Sequence, residues 1–170
     1  NHEGHERLNE FSPYTYENSF FGFIEGKGQQ LMDWVIQELK PMIDKKYRTY
    51  PFRECNAVGG SSMGGLMALY TVIKYNQYFS KAACLSSAIS MCFLQLQEDI
   101  QNSWIDSDTK VYFGTNETTN LDKTYAMYQF FYDQFIDRGA SCYINVVQNG
   151  NHNEASWEKE NPIYLDFLWK

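Results

Sequence analysis

Long apolar runs and clusters of basic residues are both missing from this sequence of 170 residues. No apolar run approaches the roughly 20 residues that a membrane-spanning helix needs, and no signal peptide is visible. The formal charge is −7, and the densest basic group is only Lys45, Lys46 and Arg48. A chain with this charge and no basic stripe is a poor candidate for binding nucleic acid or an anionic membrane. We therefore expect neither of them as a partner.

Cysteine motifs are also missing. The four cysteines are Cys55, Cys84, Cys92 and Cys142. Three of them lie in apolar, strand-like runs, and no pair has C-x-x-C spacing. This pattern is typical of free, buried thiols in a cytoplasmic protein, and a disulfide or metal role is the alternative.

Metal and cofactor motifs are missing as well. His2 and His5 lie in "HEGHE", one residue short of the zinc-binding H-E-x-x-H spacing, so a solvated loop is the better interpretation. The glycine-rich stretch at 59–65 lacks the lysine of a P-loop, and Ser61 stands where a dinucleotide fingerprint needs glycine. We expect no metal and no cofactor.

What the sequence does contain is a regular alternation of strand-like and helix-like segments. Strands are predicted over 54–60, 81–87, 110–115 and 141–148. Helices are predicted over 29–43, 62–76, 90–104, 121–139 and from Asn161-Pro162 to about Trp169, with Pro41 kinking or restarting the first of them. Residues 1–25 look loop-like. This alternation predicts an α/β fold, a mostly parallel sheet with helices on both faces, in one domain over 1–170.

The glycine-rich turn contains the motif G-x-S-x-G as Gly60-Ser61-Ser62-Met63-Gly64. Only Ser62 fits its centre, because a motif centred on Ser61 would need glycine at 63. In a nucleophile elbow the serine has a strained backbone conformation, and the glycines let strand and helix pack closely around the turn. The helix N-terminus and the Met63 N–H would then stabilise an oxyanion. A tight strand–helix turn without chemistry is the alternative interpretation.

A serine nucleophile needs a base and an orienting acid, and in hydrolases these follow in the order Ser, acid, His. His152 comes directly after the last predicted strand, and Glu117 follows the strand at 110–115. Asp122 is the second candidate acid. Ser62, Glu117 and His152 each follow a strand, so they are expected at the carboxyl edge of the sheet, where open α/β sheets place their sites.

Several segments together resemble the putative esterase family of α/β-hydrolases, which includes feruloyl esterases, siderophore esterases, S-formylglutathione hydrolase and mycolyltransferases. These segments are "ERLNEFSPY", "GKGQQLMDWVIQELKPMIDKKYRT", "GGSSMGGLMALY", "VYFGTNE" and "GNHNEASWEKENPIYLDFLW". The resemblance implies Ser62 as nucleophile, His152 as general base and then acid, and Glu117 as the residue that orients the imidazole. The family often has aspartate at the position of Glu117.

The resemblance also implies a missing part. Family members have about four strands before the segment that begins "ERLNEFSPY", and here the chain begins there. We expect residues 1–170 to form the C-terminal portion of an α/β-hydrolase fold, with the strand before Ser62 left as an exposed edge. A longer natural protein or a homo-oligomer would cover that edge.

These observations predict a serine esterase that hydrolyses a small-molecule aryl, acyl or carbohydrate-linked ester through an acyl-enzyme. A catalytically inactive hydrolase-like fragment that serves binding or assembly is the alternative, and so is an acyltransferase of the same fold. Trp104, Tyr112 and Trp157 are candidate pocket residues, with core packing favoured for Tyr112.

Overall fold

A computed structural model describes residues 4–116 and 121–170. The strands are β1 Tyr16–Asn18, β2 Gly22–Ile24, β3 Ala57–Ser61, β4 Lys81–Leu85, β5 Lys110–Thr115 and β6 Ser141–Val146. The α-helices are α1 His5–Glu10, α2 Gly28–Trp34, α3 Lys40–Lys46, α4 Met63–Lys74, α5 Phe93–Asn102, α6 Leu121–Ile136, α7 Glu154–Glu158 and α8 Asn161–Trp169. A π-helical segment, Val35–Leu39, joins α2 to α3, and 3₁₀ turns lie at Arg53–Cys55 and Ile89–Met91.

The four predicted strands form one parallel sheet in the order β3-β4-β5-β6. Gly60 on β3 lies beside Cys84 on β4, and Phe113 on β5 lies beside Ile144 on β6. The prediction of a parallel α/β sheet is confirmed. Because all four strands run the same way, the segments that follow them lie at one edge of the sheet.

Alternate residues of the strands pack on opposite faces of the sheet. Cys84 and Phe113 belong to the larger core, which α4, α5 and α6 complete with residues such as Leu69, Ile100 and Phe131. Leu85 and Tyr112 point to the other face and pack with Trp157, Tyr164 and Phe167, which come from α7 and α8. Helices therefore cover both faces, as predicted.

The helix predicted over 29–43 is longer and changes type along its length. It runs as α2, the π-helical segment and α3, so Pro41 falls in the first turn of α3. Proline has no N–H and crowds the carbonyl four residues before it, here that of Gln37 in the π-helical segment. The helix therefore uses the wider π-helical hydrogen bonding where proline blocks α-helical bonding, and it continues without a break.

The N-terminal segment is more ordered than the sequence indicates. Residues 1–25 were expected to be loop-like, but they include α1 and the antiparallel hairpin β1–β2, in which Tyr16 faces Ile24. Buried Asn9 holds this segment in place, because its Oδ1 accepts the Glu25 N–H at 2.9 Å and its backbone O accepts the Lys27 N–H at 2.9 Å. Three-residue strands are too short to show a periodic pattern, which explains the missed hairpin.

All four cysteines are free thiols. Cys84 and Cys92 are buried, and burial raises the pKa of Cys92 to about 11. The prediction of free thiols is confirmed, whereas the burial predicted for them holds only for Cys84 and Cys92, since Cys55 and Cys142 are half-buried. Among the described residues, no helix combines the length and the apolar character needed to cross a bilayer.

Candidate active site

Ser62 occupies the turn between β3 and α4 in a strained conformation, with φ 56° and ψ −118°. A non-glycine residue in such a conformation costs about 1–3 kcal/mol and persists only where its surroundings hold it. Three backbone hydrogen bonds do so. The Ser62 N–H donates to the Leu85 O at 2.9 Å, and the Ser62 O accepts the N–H groups of Leu66 and Ala88, each at 3.0 Å. This is the backbone geometry that the G-x-S-x-G motif predicts.

The glycines of the motif differ in what they permit. A Cβ at Gly60 would lie 2.7–2.9 Å from backbone atoms of Gly64, so only glycine allows β3 and α4 to approach this closely. A Cβ at Gly64 would meet no atom within 4 Å. The tight position on the helix is Gly65, where a Cβ would lie 3.0 Å from the Ser87 Cβ. The close packing expected from Gly60 and Gly64 therefore depends on Gly60 and Gly65.

Met63 is the first residue of α4, and its side chain is buried. The N–H groups in the first turn of a helix have no acceptor within the helix. The positive end of the helix dipole lies at the same place. The backbone of Met63 can therefore donate to an anion that forms beside the Ser62 hydroxyl.

His152 lies between β6 and α7, in a segment that is fixed by side-chain hydrogen bonds. The Asn153 Oδ1 caps α7 by accepting the Ser156 N–H at 3.0 Å, and the Asn151 N–H donates to the Ser156 Oγ at 2.9 Å. The exposed His152 ring packs edge-to-face against Trp157, with 5.1 Å between ring centroids. Trp157 therefore supports the imidazole from the side of α7.

Leu85 connects the serine turn to the histidine segment. Its backbone O accepts the Ser62 N–H, and its side chain packs in the cluster that contains Trp157. Ser62 and His152 therefore both lie at the carboxyl edge of the sheet, and each of their segments contacts the cluster that contains Leu85 and Trp157.

The predicted acid, Glu117, lies outside the described residues. The residue before it, Asn116, is buried directly after β5, at the same edge of the sheet as Ser62. The second candidate, Asp122, is exposed in the first turn of α6. At the opposite edge, Asp108 forms an ion pair with Arg53.

A cavity of about 450 Å³ opens beside the Ser62 turn. Ser62, Met63 and Met91 line it together with Leu8 and Phe21. The exposed residues His5 and Arg7 also line it, and the His5 Nε2 lies 3.2 Å from the Phe21 O. The arrangement offers a mainly apolar site of small-molecule size with a cationic side chain in its lining.

A comparison with protein families identifies the family of this chain. The family model described as "Putative esterase" matches residues 19–166. The chain belongs to this esterase family. No curated protein matches the chain.

Solved structures similar to this esterase-family chain share its fold. The BES protein from Bacillus cereus is 18% identical with a TM-score of 0.72, and the match covers 98% of this chain and 64% of that one. An enterobactin esterase, FES from Shigella flexneri, solved in the presence of enterobactin, is 20% identical with a TM-score of 0.74, and the match covers 98% and 40%. An IroE-like serine hydrolase from Shewanella oneidensis is 18% identical with a TM-score of 0.69, covering 95% and 55%. This chain thus spans less than two thirds of the length of each.

Ser62 and Met63 were identified from the sequence of this esterase-family chain, but the cavity residues from the N-terminal segment were not. Leu8, Phe21 and Arg7 belong to the segment that looked loop-like. Of the aromatic residues proposed for a pocket, Trp104 is 63% exposed and Trp157 packs against His152, and neither lines this cavity. Tyr112 is fully buried, as the favoured interpretation of core packing predicted. Within residues 4–116 and 121–170, no group of three His, Cys, Asp or Glu side chains could hold a metal ion.

Proposed function

We propose that this chain is a serine carboxylic-ester hydrolase that works through an acyl-enzyme on Ser62. The observation that carries the proposal is the strained Ser62 turn at the N-terminus of α4, with a cavity beside it. Strain of this kind is costly and collects at functional sites. Membership of the esterase family supports the same reaction class.

In the proposed reaction, His152 takes the proton of the Ser62 hydroxyl as the oxygen attacks the ester carbonyl. The Met63 N–H stabilises the oxyanion, and one such donor is worth about 10²–10³ in turnover. His152 then returns the proton to the departing alcohol. A water molecule, activated by the same imidazole, hydrolyses the acyl-enzyme, while Glu117 keeps the ring oriented.

The cavity favours a particular substrate class. Phe21, Leu8 and Met91 would contact an aryl or acyl group, and the Arg7 guanidinium would favour a ligand that carries an acidic substituent. Two similar structures, both of the enterobactin esterase FES from Shigella flexneri, were solved in the presence of 2,3-dihydroxy-N-benzoyl-glycine and of enterobactin. We propose an aryl, acyl or carbohydrate-linked small-molecule ester for this chain.

The outer edge of β3 belongs to this proposal as well. Among the described residues, β3 pairs only with β4. An unpaired edge beside a catalytic turn is prone to association. We propose that a further polypeptide segment or a second copy of this chain covers it.

The test is covalent labelling with a fluorophosphonate, read as intact mass and mapped by peptide. We expect one adduct on Ser62 and none in Ser62→Ala, because only an activated hydroxyl reacts. Ser61→Ala is the matched control, since it changes the neighbouring serine and should label as the wild type does. His152→Ala should slow labelling by at least about 10²-fold through loss of the base.

The two alternative functions predict different outcomes in the same assay. A folded wild-type protein that takes up no label would contradict the enzyme and favour a fragment with a binding or assembly role. An acyltransferase would label on Ser62 but pass the acyl group to an added alcohol in preference to water.

A further inference from the structure

A fully buried carboxylate lies near the edge of the sheet that carries Ser62 and His152. Glu160, just before α8, is 0% exposed. Its Oε2 accepts a hydrogen bond from the Tyr112 hydroxyl at 2.7 Å, and its Oε1 accepts one from the Asn116 side-chain amide at 3.2 Å. The Asn145 amide donates to the Tyr112 hydroxyl at 2.8 Å and lies 3.5 Å from Oε2. A buried carboxylate is costly unless donors surround it, and here they come from three places in the chain.

The backbone makes room for this carboxylate. A Cβ on Gly114, in β5, would lie 2.0 Å from the Glu160 Oε2. Only glycine at this position lets the carboxylate reach both Tyr112 and Asn116. The cluster is therefore built around the side chain of Glu160. If that side chain were absent, several buried polar groups would lose their hydrogen-bond partner.

Asn116 connects the cluster to the loop of the proposed acid. It directly precedes Glu117, and its N–H donates to the Ser86 Oγ at 3.3 Å. A Cβ on Gly150 would lie 2.8 Å from the Asn116 Cβ, so the Asn116 side chain also packs closely against the segment that leads to His152. Holding Asn116 in place therefore also maintains its contact with the segment that leads to His152.

The other end of Glu160 connects to the proposed base. Its N–H donates to the Trp157 O at 3.0 Å, and the Trp157 ring contacts the His152 ring. Glu160 therefore contacts Asn116, at the end of β5, through its carboxylate. Through its backbone N–H it contacts Trp157, which packs against the imidazole.

We infer that Glu160 is a positioning residue that holds Asn116 against the segment that carries His152. This inference rests on the proposed function, since it concerns the geometry of the same site. Glu160 acts through Asn116 and Trp157 and contacts no substrate. Neither the sequence motif nor the family match points to this role.

Two variants break the link and one serves as control. Glu160→Gln replaces one acceptor oxygen by an NH2 group that donates, so a donor then faces either the Asn116 amide or the Tyr112 hydroxyl. Asn116→Ala removes the side-chain amide that donates to the Glu160 Oε1. Tyr112→Phe also removes one hydrogen bond to the same carboxylate, but Tyr112 lies in the middle of β5, four residues before Asn116.

The first readout is the rate constant of fluorophosphonate labelling at Ser62. We expect Glu160→Gln and Asn116→Ala to slow it by about 10- to 100-fold and Tyr112→Phe by less than about threefold, because displacement of catalytic groups is costly in rate. All three should melt at similarly lowered temperatures. The Glu160→Gln/Asn116→Ala double variant should label no more slowly than the slower single variant, since both break one link.

The second readout is the imidazole NMR signal of His152, assigned with His152→Ala. Its chemical shifts report ring tautomer and hydrogen bonding without requiring activity. They should change in Glu160→Gln and Asn116→Ala and stay in place in Tyr112→Phe.

Each outcome decides the inference. If Tyr112→Phe slows labelling as much as the other two, or if the His152 signals are the same in all four proteins, the role of Glu160 is purely structural and the inference is wrong. A wild-type protein that takes up no label would sink the proposed function, and the His152 signals alone would then decide whether Glu160 positions the ring.

Discussion

Ser62 is held by the backbone of β4, α4 and the turn after β4, whereas Asn116 is held by the side chains of Ser86 and Glu160. Both residues follow a strand at the same edge of the sheet. The serine turn needs glycines and a positive φ, and its partners are carbonyl and N–H groups that every residue supplies. The Asn116 segment needs particular polar side chains from positions that are distant in the sequence. A turn fixed by backbone geometry therefore leaves a motif in the sequence, and a loop fixed by a side-chain cluster does not.

The largest expected effect tests the serine side. Gly60→Ala should lower the free energy of unfolding by about 3 kcal/mol, because its Cβ would press on the Gly64 backbone, which has no flexible end to move away. Gly64→Ala is the matched control and should leave stability unchanged or raise it by up to about 1 kcal/mol. Urea denaturation of both variants measures the difference. Equal losses would show that the turn is less tightly packed than the structure indicates.

The next expected effect compares the backbone strain at Ser62 with that at Ser86. Ser62→Gly should raise the free energy of unfolding by about 1 kcal/mol while labelling is lost, since glycine adopts φ 56° without strain and the Ser62 side chain does not cap α4. Ser86 also has a positive φ, 39°, but its Oγ accepts the Asn116 N–H. Ser86→Gly should therefore gain little, because relief of strain is offset by the lost hydrogen bond, worth about 1 kcal/mol.

Thermal or urea unfolding of the two glycine variants measures this difference. Ser62→Ala belongs beside them, because alanine removes the hydroxyl but keeps the strain and should show no gain. A gain in Ser62→Ala equal to that in Ser62→Gly would refute strain as the cause.

The smallest expected effect is a dependence of stability on pH, which we expect from the cluster of Glu160 and Asn116 and not from the Ser62 turn. Burial raises the pKa of Glu160, opposed by its hydrogen bonds with Tyr112, Asn145 and Asn116. The folded protein thus binds this proton more tightly than the unfolded chain does. The contribution of Glu160 to stability should therefore fall as the pH rises from its ordinary pKa of 4.5 through the folded value.

Glu160→Gln has no such proton. The difference in unfolding free energy between wild type and Glu160→Gln, measured from pH 4 to 8, should shrink as pH increases. The change caused by Gly64→Ala should stay constant over the same range, since a Cβ there meets no atom within 4 Å and no titratable group is altered. A wild-type advantage that grows with pH would contradict the raised pKa.

The fold could be predicted to the extent that each element has its own pattern. β5 begins and ends at the predicted residues, because Val111 and Phe113 are apolar within a run of strand-forming residues. β3 begins three residues later than predicted, since Glu54 and Cys55 form a 3₁₀ turn. The five-residue helix α7 and the β1–β2 hairpin were missed, because elements this short bury too few residues to show a period.

The sequence by itself determined the parallel α/β sheet, the serine turn and the placing of Ser62 and His152 after strands, because glycine spacing and apolar periodicity are local constraints. Only the tertiary structure decided that Gly65 rather than Gly64 is the close contact on α4, that Phe21 and Arg7 line the cavity, and that Glu160 joins Asn116 to Trp157. Each of these depends on residues far apart in the chain. Their distances are set by how the helices pack on the sheet, and no local pattern encodes that packing.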